Sequence, residues 1–159
     1  MNSITVRCQV QLEPETAFSL FLKDFSKWWP KEYTWSQKHL EEIMIEPKVG
    51  GHCIEKGPGG FRSDWGTVTD LVVPDKISFL WQISPQREPV PNPAKASQVH
   101  ITFLSNKKNG TTVSLVHSDF KNHGEGYNEY LENMNSKYGW PFILSNFESY
   151  CNSNGISQL

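Results

Sequence analysis

The sequence predicts an α+β fold in which an antiparallel sheet carries a C-terminal helix on its concave face. Segments of two-residue apolar alternation follow one another through the middle of the chain with short turns between most of them, which suits an antiparallel meander. A first such segment stands apart, cut off from the others by a helical stretch. Near the C-terminus Trp140, Ile143, Leu144, Phe147, Tyr150 and Cys151 recur at three- and four-residue spacing. That is one wide apolar stripe, and it needs a broad surface to lie on.

Taken in order, Ile4, Val6, Cys8, Val10 and Leu12 alternate with Thr5, Arg7, Gln9 and Gln11, the period of a half-buried strand. Glu13-Pro14-Glu15-Thr16 opens a helix, with proline in the first turn and acids near the positive end of the dipole. Ala17, Phe18, Phe21, Leu22 and Phe25 form its apolar face. Pro30 pushes Trp29 out of helical geometry, so a second short helix or turn ends there, and the adjacent indoles Trp28 and Trp29 are expected to face different ways. Strands are expected at Glu42–Pro47, with Ile43 and Ile45 on one face, at His52–Lys56, at Asp64–Val72 and over Ile77–Ile83. A hairpin of Val99–Leu104 and Thr112–His117 closes the series. Gly57–Gly60 is a turn, Gly66 marks a bulge or close contact, and the proline-rich run Pro85–Pro93 is an exposed loop. Tyr127, Tyr130, Leu131 and Met134 give a helical stripe that Gly139 breaks. The last helix then runs from about Pro141 to about Asn152, with Asn154-Gly155 placed to close it.

The 159 residues suit one domain, 1–159, with no visible repeat. Fifteen basic against 17 acidic side chains, without a basic run, argue against a nucleic-acid partner. The apolar runs fall far short of the roughly 20 residues that cross a bilayer, and Met1-Asn2-Ser3-Ile4-Thr5 has no signal pattern, so no membrane partner and a cytoplasmic location are expected. Cys8, Cys53 and Cys151 form an odd set with no C-x-x-C pair and read as buried reduced thiols.

This order of elements, together with Phe18 to Phe21, Trp28-Trp29-Pro30, Ile45 to Gly51, Asp64-Trp65-Gly66-Thr67-Val68, Leu80-Trp81-Gln82, Val99 to Phe103, His117 and Gly139-Trp140-Pro141, resembles the SRPBCC superfamily (START and Bet v 1-like). Within it the chain is most similar to the bacterial branch related to the activator of Hsp90 ATPase, over Ile4 to Tyr150. The resemblance implies a helix-grip fold: a strongly curved seven-stranded antiparallel sheet wrapped around the C-terminal helix, two short helices after the first strand, and a cavity between sheet and helix. Its motifs are turn glycines and packing aromatics, with no shared catalytic set. Gly139 and Pro141 split here what many members run as one longer terminal helix. The resemblance also implies two alternatives to ligand binding. One is a co-chaperone partner of an Hsp90-type chaperone, although the eukaryotic activators use an additional N-terminal domain for which 159 residues leave no room. The other is an enzyme of cyclase or hydratase type.

Read from the residues, the catalytic inventory is thin. His117, Asp119 and His123 have no recognised ligand spacing, and neither a metal nor a cofactor is expected. His117 lies in phase with Val113 and Leu115 and reads as an inward imidazole satisfied by one hydrogen bond. Glu55 and Asp64 would meet across a hairpin as a carboxylate pair, but as two exposed acids near a sheet edge. His123-Gly124-Glu125-Gly126 has the glycines of a phosphate loop without its lysine or its frame, and there is no G-x-S-x-G.

The aromatic inventory is full. Trp28, Trp29, Phe79, Trp81 and Phe103 come from the first helices and the strands, and Tyr127, Tyr138, Trp140 and Phe142 from the C-terminal part. These rings are expected to line a cavity, with Gln82, His117 and Tyr138 orienting a ligand. The reading is of a protein, monomer or homodimer, that binds a small hydrophobic or aromatic molecule between sheet and terminal helix and does not transform it.

Overall fold

In the computed structural model, which describes residues 2–157, seven strands form one antiparallel sheet: β1 (Ile4–Val10), β2 (Glu42–Ile45), β3 (His52–Lys56), β4 (Arg62–Val72), β5 (Lys76–Trp81), β6 (Ser97–Ser105) and β7 (Thr111–Ser118). Their spatial order is β1-β7-β6-β5-β4-β3-β2, so β2 to β7 are a meander and β1 returns to pair with β7. The helices α1 (Pro14–Lys23) and α2 (Phe25–Trp28) cross from β1 to β2, and α3 (Tyr127–Asn135) and α4 (Trp140–Ser157) complete the chain. This is the helix-grip arrangement that the resemblance implies. None of the helices among the described residues is long and apolar enough to cross a membrane.

The sheet curls because its longest strand is bulged twice. Cys53 pairs with Gly66 and Ile54 with Asp64, which leaves Trp65 as an extra residue; Val68 pairs with Phe79 and Asp70 with Ser78, which leaves Thr69. Each extra residue bends the strand and increases its twist. Gly66 is required where it stands, because a Cβ there would press on the Leu80 carbonyl and the Cys53 side chain. Both outer strands are covered. The amides of Gln9 in β1 and of Gln11 just beyond it donate to Glu148 Oε1 (3.2 Å) and Asn152 Oδ1 (3.1 Å) of α4, and the Ile43 amide of β2 donates to Ser26 Oγ (3.1 Å). Edge strands capped in this way do not recruit further strands.

The expected ends of the last helix and of the strand over Ile77–Ile83 both change. The terminal helix runs on past Asn154-Gly155, because one glycine costs a helix only about 1 kcal/mol relative to alanine and weakens a turn without ending it. Trp28 and Trp29 do point different ways, yet both are buried. Trp29 leaves the helix with ψ 133°, and that break turns its ring toward the sheet while Trp28 stays against Phe21 and Phe147. Ile83 lies beyond the end of β5, where it makes a single bridge to Pro89 within the proline-rich loop.

Candidate functional site

A cavity of about 540 Å³ opens at one end of the space between sheet and α4. Its floor is sheet: Trp65 on β4 and Trp81 on β5, with Trp29 stacked beside Trp65 at 5.8 Å. Its walls are Tyr130 and Met134 of α3 and Ile143 of α4. Two irregular segments cross its mouth. Trp35 Nε1 donates to the Arg87 carbonyl (2.8 Å), tying residues 34–37 to the proline-rich loop, and Tyr33 Oη donates to the Tyr138 carbonyl (2.6 Å). Tyr138, 67 % exposed, stands on the rim.

Polar groups stand among these rings, Glu32, Gln37, Arg87, Asn133 and Ser136 included, and the buried ones are unevenly satisfied. Trp81 Nε1 donates to Tyr130 Oη (2.6 Å), which donates to the Ile83 carbonyl (2.8 Å); burial pushes the Tyr130 phenol up to about 12, so it stays protonated and serves as a fixed link. Glu55 is only 1 % exposed and lines the cavity. Its Oε1 and Oε2 accept from the backbone amides of Trp35 (3.1 Å) and Ser36 (2.8 Å), so the carboxylate holds the mouth segment in place. Directly opposite Glu55 on β4 is Ser63, whose buried hydroxyl has no partner among the described residues; the buried Trp65 Nε1–H has none either. Leaving such a group unpaired costs roughly 1–3 kcal/mol. Ser63 and Glu55 thus share one buried corner of the sheet.

Of the residues expected around a cavity, Trp29, Trp81 and Tyr138 meet at this one. The others are placed elsewhere. Phe103 packs edge-on to Phe18 (5.1 Å) and Phe21 (5.6 Å), Trp28 lies on Phe147 (5.0 Å), and Phe79 stands perpendicular to Trp65 beneath the floor. Phe142 rests on Tyr33 outside the lining, and Tyr127 borders a separate shallow depression with Lys121 and Glu125. Gln82 is a loop clamp: its Oε1 accepts from Thr67 Oγ1 (2.7 Å) and its Nε2 donates to the Val90 carbonyl (3.0 Å). Trp140 and His117 belong to a sealed chain of hydrogen bonds. Trp140 Nε1 donates to His117 Nδ1 (2.8 Å), which fixes the His117 proton on Nε2; Nε2 reaches Ser97 Oγ (2.7 Å), which in turn reaches His123 Nε2 (2.7 Å). Burial holds the His117 imidazole well below its ordinary value and brings His123 down to about 4, so both are neutral near pH 7. Asp119 turns away to accept from Gln98 Nε2 (3.0 Å), and among the described residues no three His, Cys, Asp or Glu side chains converge as metal ligands.

The family described as Activator of Hsp90 ATPase homolog 1-like protein matches residues 11–152. The chain belongs to this family. Among solved structures it is similar to an anthrahydroquino-gamma-pyrone synthase, Txn09, with 25 % identity, a TM-score of 0.66, and 94 % of this chain and 96 % of that one covered. It shares its fold with the Aha1 dimer from Colwellia psychrerythraea, at 20 % identity and TM-score 0.65 over 96 % and 97 % of the two chains. The same holds for an HSP90 activator from Plasmodium falciparum, at 21 % identity and TM-score 0.57 over 94 % and 96 %. No curated protein matches.

Within this Activator of Hsp90 ATPase homolog 1-like chain, the site residues that sequence reasoning missed are Glu55, Trp65 and Tyr130. Glu55 was expected outside, paired with Asp64. In the structure it faces Ser63 on the inner side, while Asp64 points out and binds Arg62 (2.9 Å). The signal was present in the phase of β3: Glu55 shares its face with Cys53, which is fully buried.

Proposed function

We propose that the chain binds a small, flat, apolar or aromatic molecule in the cavity between the sheet, α3 and α4, and holds it without transforming it. The observation that carries this reading is a cavity of about 540 Å³ floored by the rings of Trp29, Trp65 and Trp81. Small-molecule pockets fall in the range of roughly 300–1,000 Å³ and combine mostly apolar walls with a few fixed polar groups. Binding without chemistry fits the placement of the thiols and of His117, while Glu55, the buried acid in the lining, is engaged by the Trp35 and Ser36 amides. All three thiols are buried, with Cys8 and Cys151 pushed up to about 12 by burial, and His117 is sealed away from the lining. Three unpaired thiols also suit a cytoplasmic, reducing location.

The test is tryptophan fluorescence and melting temperature of the full chain against a panel of two- and three-ring compounds, followed by extraction of the bound molecule. Quenching, a raised melting temperature and recovery of the compound unchanged are expected; a ligand at 100 times its Kd stabilises by about 2.7 kcal/mol. Silence in both signals removes the reading. Recovery of a product would instead favour a cyclase-type enzyme, for which the similarity to the pyrone synthase speaks. The family's description favours a different partner, an Hsp90-type chaperone, and acceleration of that chaperone's ATPase by the full chain is the outcome that would establish it.

A further inference from the structure

Resting on the reading of the cavity as a ligand site, we infer that the ligand is a flat aromatic acid, its rings on the tryptophan floor and its carboxylate held at the mouth by the guanidinium of Arg87. Among the described residues Arg87 is the one basic residue in the lining, and no acid pairs with it. Its backbone is fixed on both sides. The Arg87 amide donates to the Ser84 carbonyl (2.9 Å), the Ser84 amide closes the turn on the Glu88 carbonyl (2.8 Å), and the Arg87 carbonyl accepts from Trp35 Nε1 (2.8 Å). With φ at 65° the residue stands in the left-handed region, which suits glycine and disfavours a side chain. A turn that needed only the backbone here would be better served by glycine, so the arginine is there for its side chain.

That side chain is exposed to solvent, yet it serves the cavity. Burial raises the phenols of Tyr33 and Tyr130, and the Arg87 charge works against the rise at both. A charge felt at two phenols of one lining stands over that lining. Lys137 Nζ, 5.1 Å from the centre of the Tyr138 ring, adds a second positive charge at the rim. Two acids also line the cavity. Glu55 is already engaged, since each of its oxygens accepts a backbone amide. Glu32 is exposed and has no basic partner among the described residues, so it opposes an acidic ligand and limits its affinity without offering it a contact. What distinguishes Arg87 is geometry as well as charge: the planar fork of a guanidinium meets a carboxylate in two parallel hydrogen bonds, whereas a carboxamide has one oxygen to offer and an ammonium none.

Isothermal titration of the full chain with 2-naphthoate, 2-naphthamide and 2-naphthylmethylammonium decides it. The expected result is 2-naphthoate bound about tenfold more tightly than the amide. Arg87→Gln removes the charge, and Arg87→Gly removes the whole side chain from a turn that suits glycine; both keep the carbonyl that holds Trp35. Each should bring 2-naphthoate to within about twofold of the amide, and Glu32→Gln should tighten 2-naphthoate. Equal binding of acid and amide by the native chain, or a preference for the acid that survives in both Arg87 variants, would overturn the assignment while leaving the cavity as a ligand site. Tighter binding of the ammonium would overturn it too, by making Glu32 and Glu55 the recognising charges. Failure of all three to bind would take away the underlying reading as well.

Discussion

At one end of the space between the sheet and α4, Phe21, Phe25, Trp28, Phe103 and Phe147 pack ring on ring at centroid distances of 4.9 to 5.7 Å, and the Trp28 N–H is satisfied by the Phe21 carbonyl at 3.1 Å. At the other end Trp29, Trp65 and Trp81 are buried too, but they floor a cavity, and two buried groups there, Ser63 Oγ and Trp65 Nε1, have no partner among the described residues. The residue types are the same. What differs is the third wall. The packed end is closed by regular helix, whereas the open end is closed by residues 34–37 and the loop after β5, which lie over the cavity without filling it. An aromatic-rich interior is therefore evidence of a core in one half of this molecule and of a binding site in the other.

The comparison can be broken most strongly at the packed end. Phe147, fully buried against Phe21 and Trp28, should cost roughly 3–5 kcal/mol of unfolding free energy in urea when replaced by alanine. Trp140→Phe, which leaves His117 Nδ1 without its donor between the two ends, should cost about 1–3 kcal/mol. The same sealed chain makes an acid-side expectation. An unfolded imidazole takes up a proton below its ordinary value of 6.5, whereas burial keeps folded His123 neutral down to about 4 and holds His117 well below the ordinary value. The unfolded state then binds more protons, so stability falls as pH drops below about 6.5, and the His123 share is fully lost by about pH 4. The urea midpoint should be lower at pH 5 than at pH 7, and His123→Gln should reduce that difference. At the open end the smallest effect is expected. Ser63→Ala removes a buried hydroxyl that has no partner among the described residues, so its stability change should lie near zero or be slightly favourable, within about 1 kcal/mol. A large loss there would show that the corner is satisfied within the protein.

Periodicity made most of the fold legible. The alternation of Ile4, Cys8 and Val10 and that of Val113, Leu115 and His117 point inward as their phase requires, and the terminal stripe buries Trp140, Leu144, Phe147 and Cys151. Gly66 marked its bulge. The site was only partly legible, because phase tells which face of a strand a side chain takes and not which end of the sheet it serves. Phe103 and Trp81 both face inward, yet Phe103 meets α1 and Trp81 meets the cavity. The mouth is made by segments without a repeat, so nothing in Trp35 or Arg87 announces that they meet. Glu55 had the inward phase, but a carboxylate is so seldom fully buried that its residue type argued the other way.

The six indole N–H resonances in a ¹H–¹⁵N spectrum test the contrast between the two ends most directly, recorded while a flat aromatic ligand is titrated into the full chain. Trp65 and Trp81, and Trp35 at the mouth, should shift and saturate together, while Trp28, held by the Phe21 carbonyl, stays in place. Shifts at Trp28 with Trp65 unmoved, or no saturable shift at any of the six, would contradict the cavity end as the binding site.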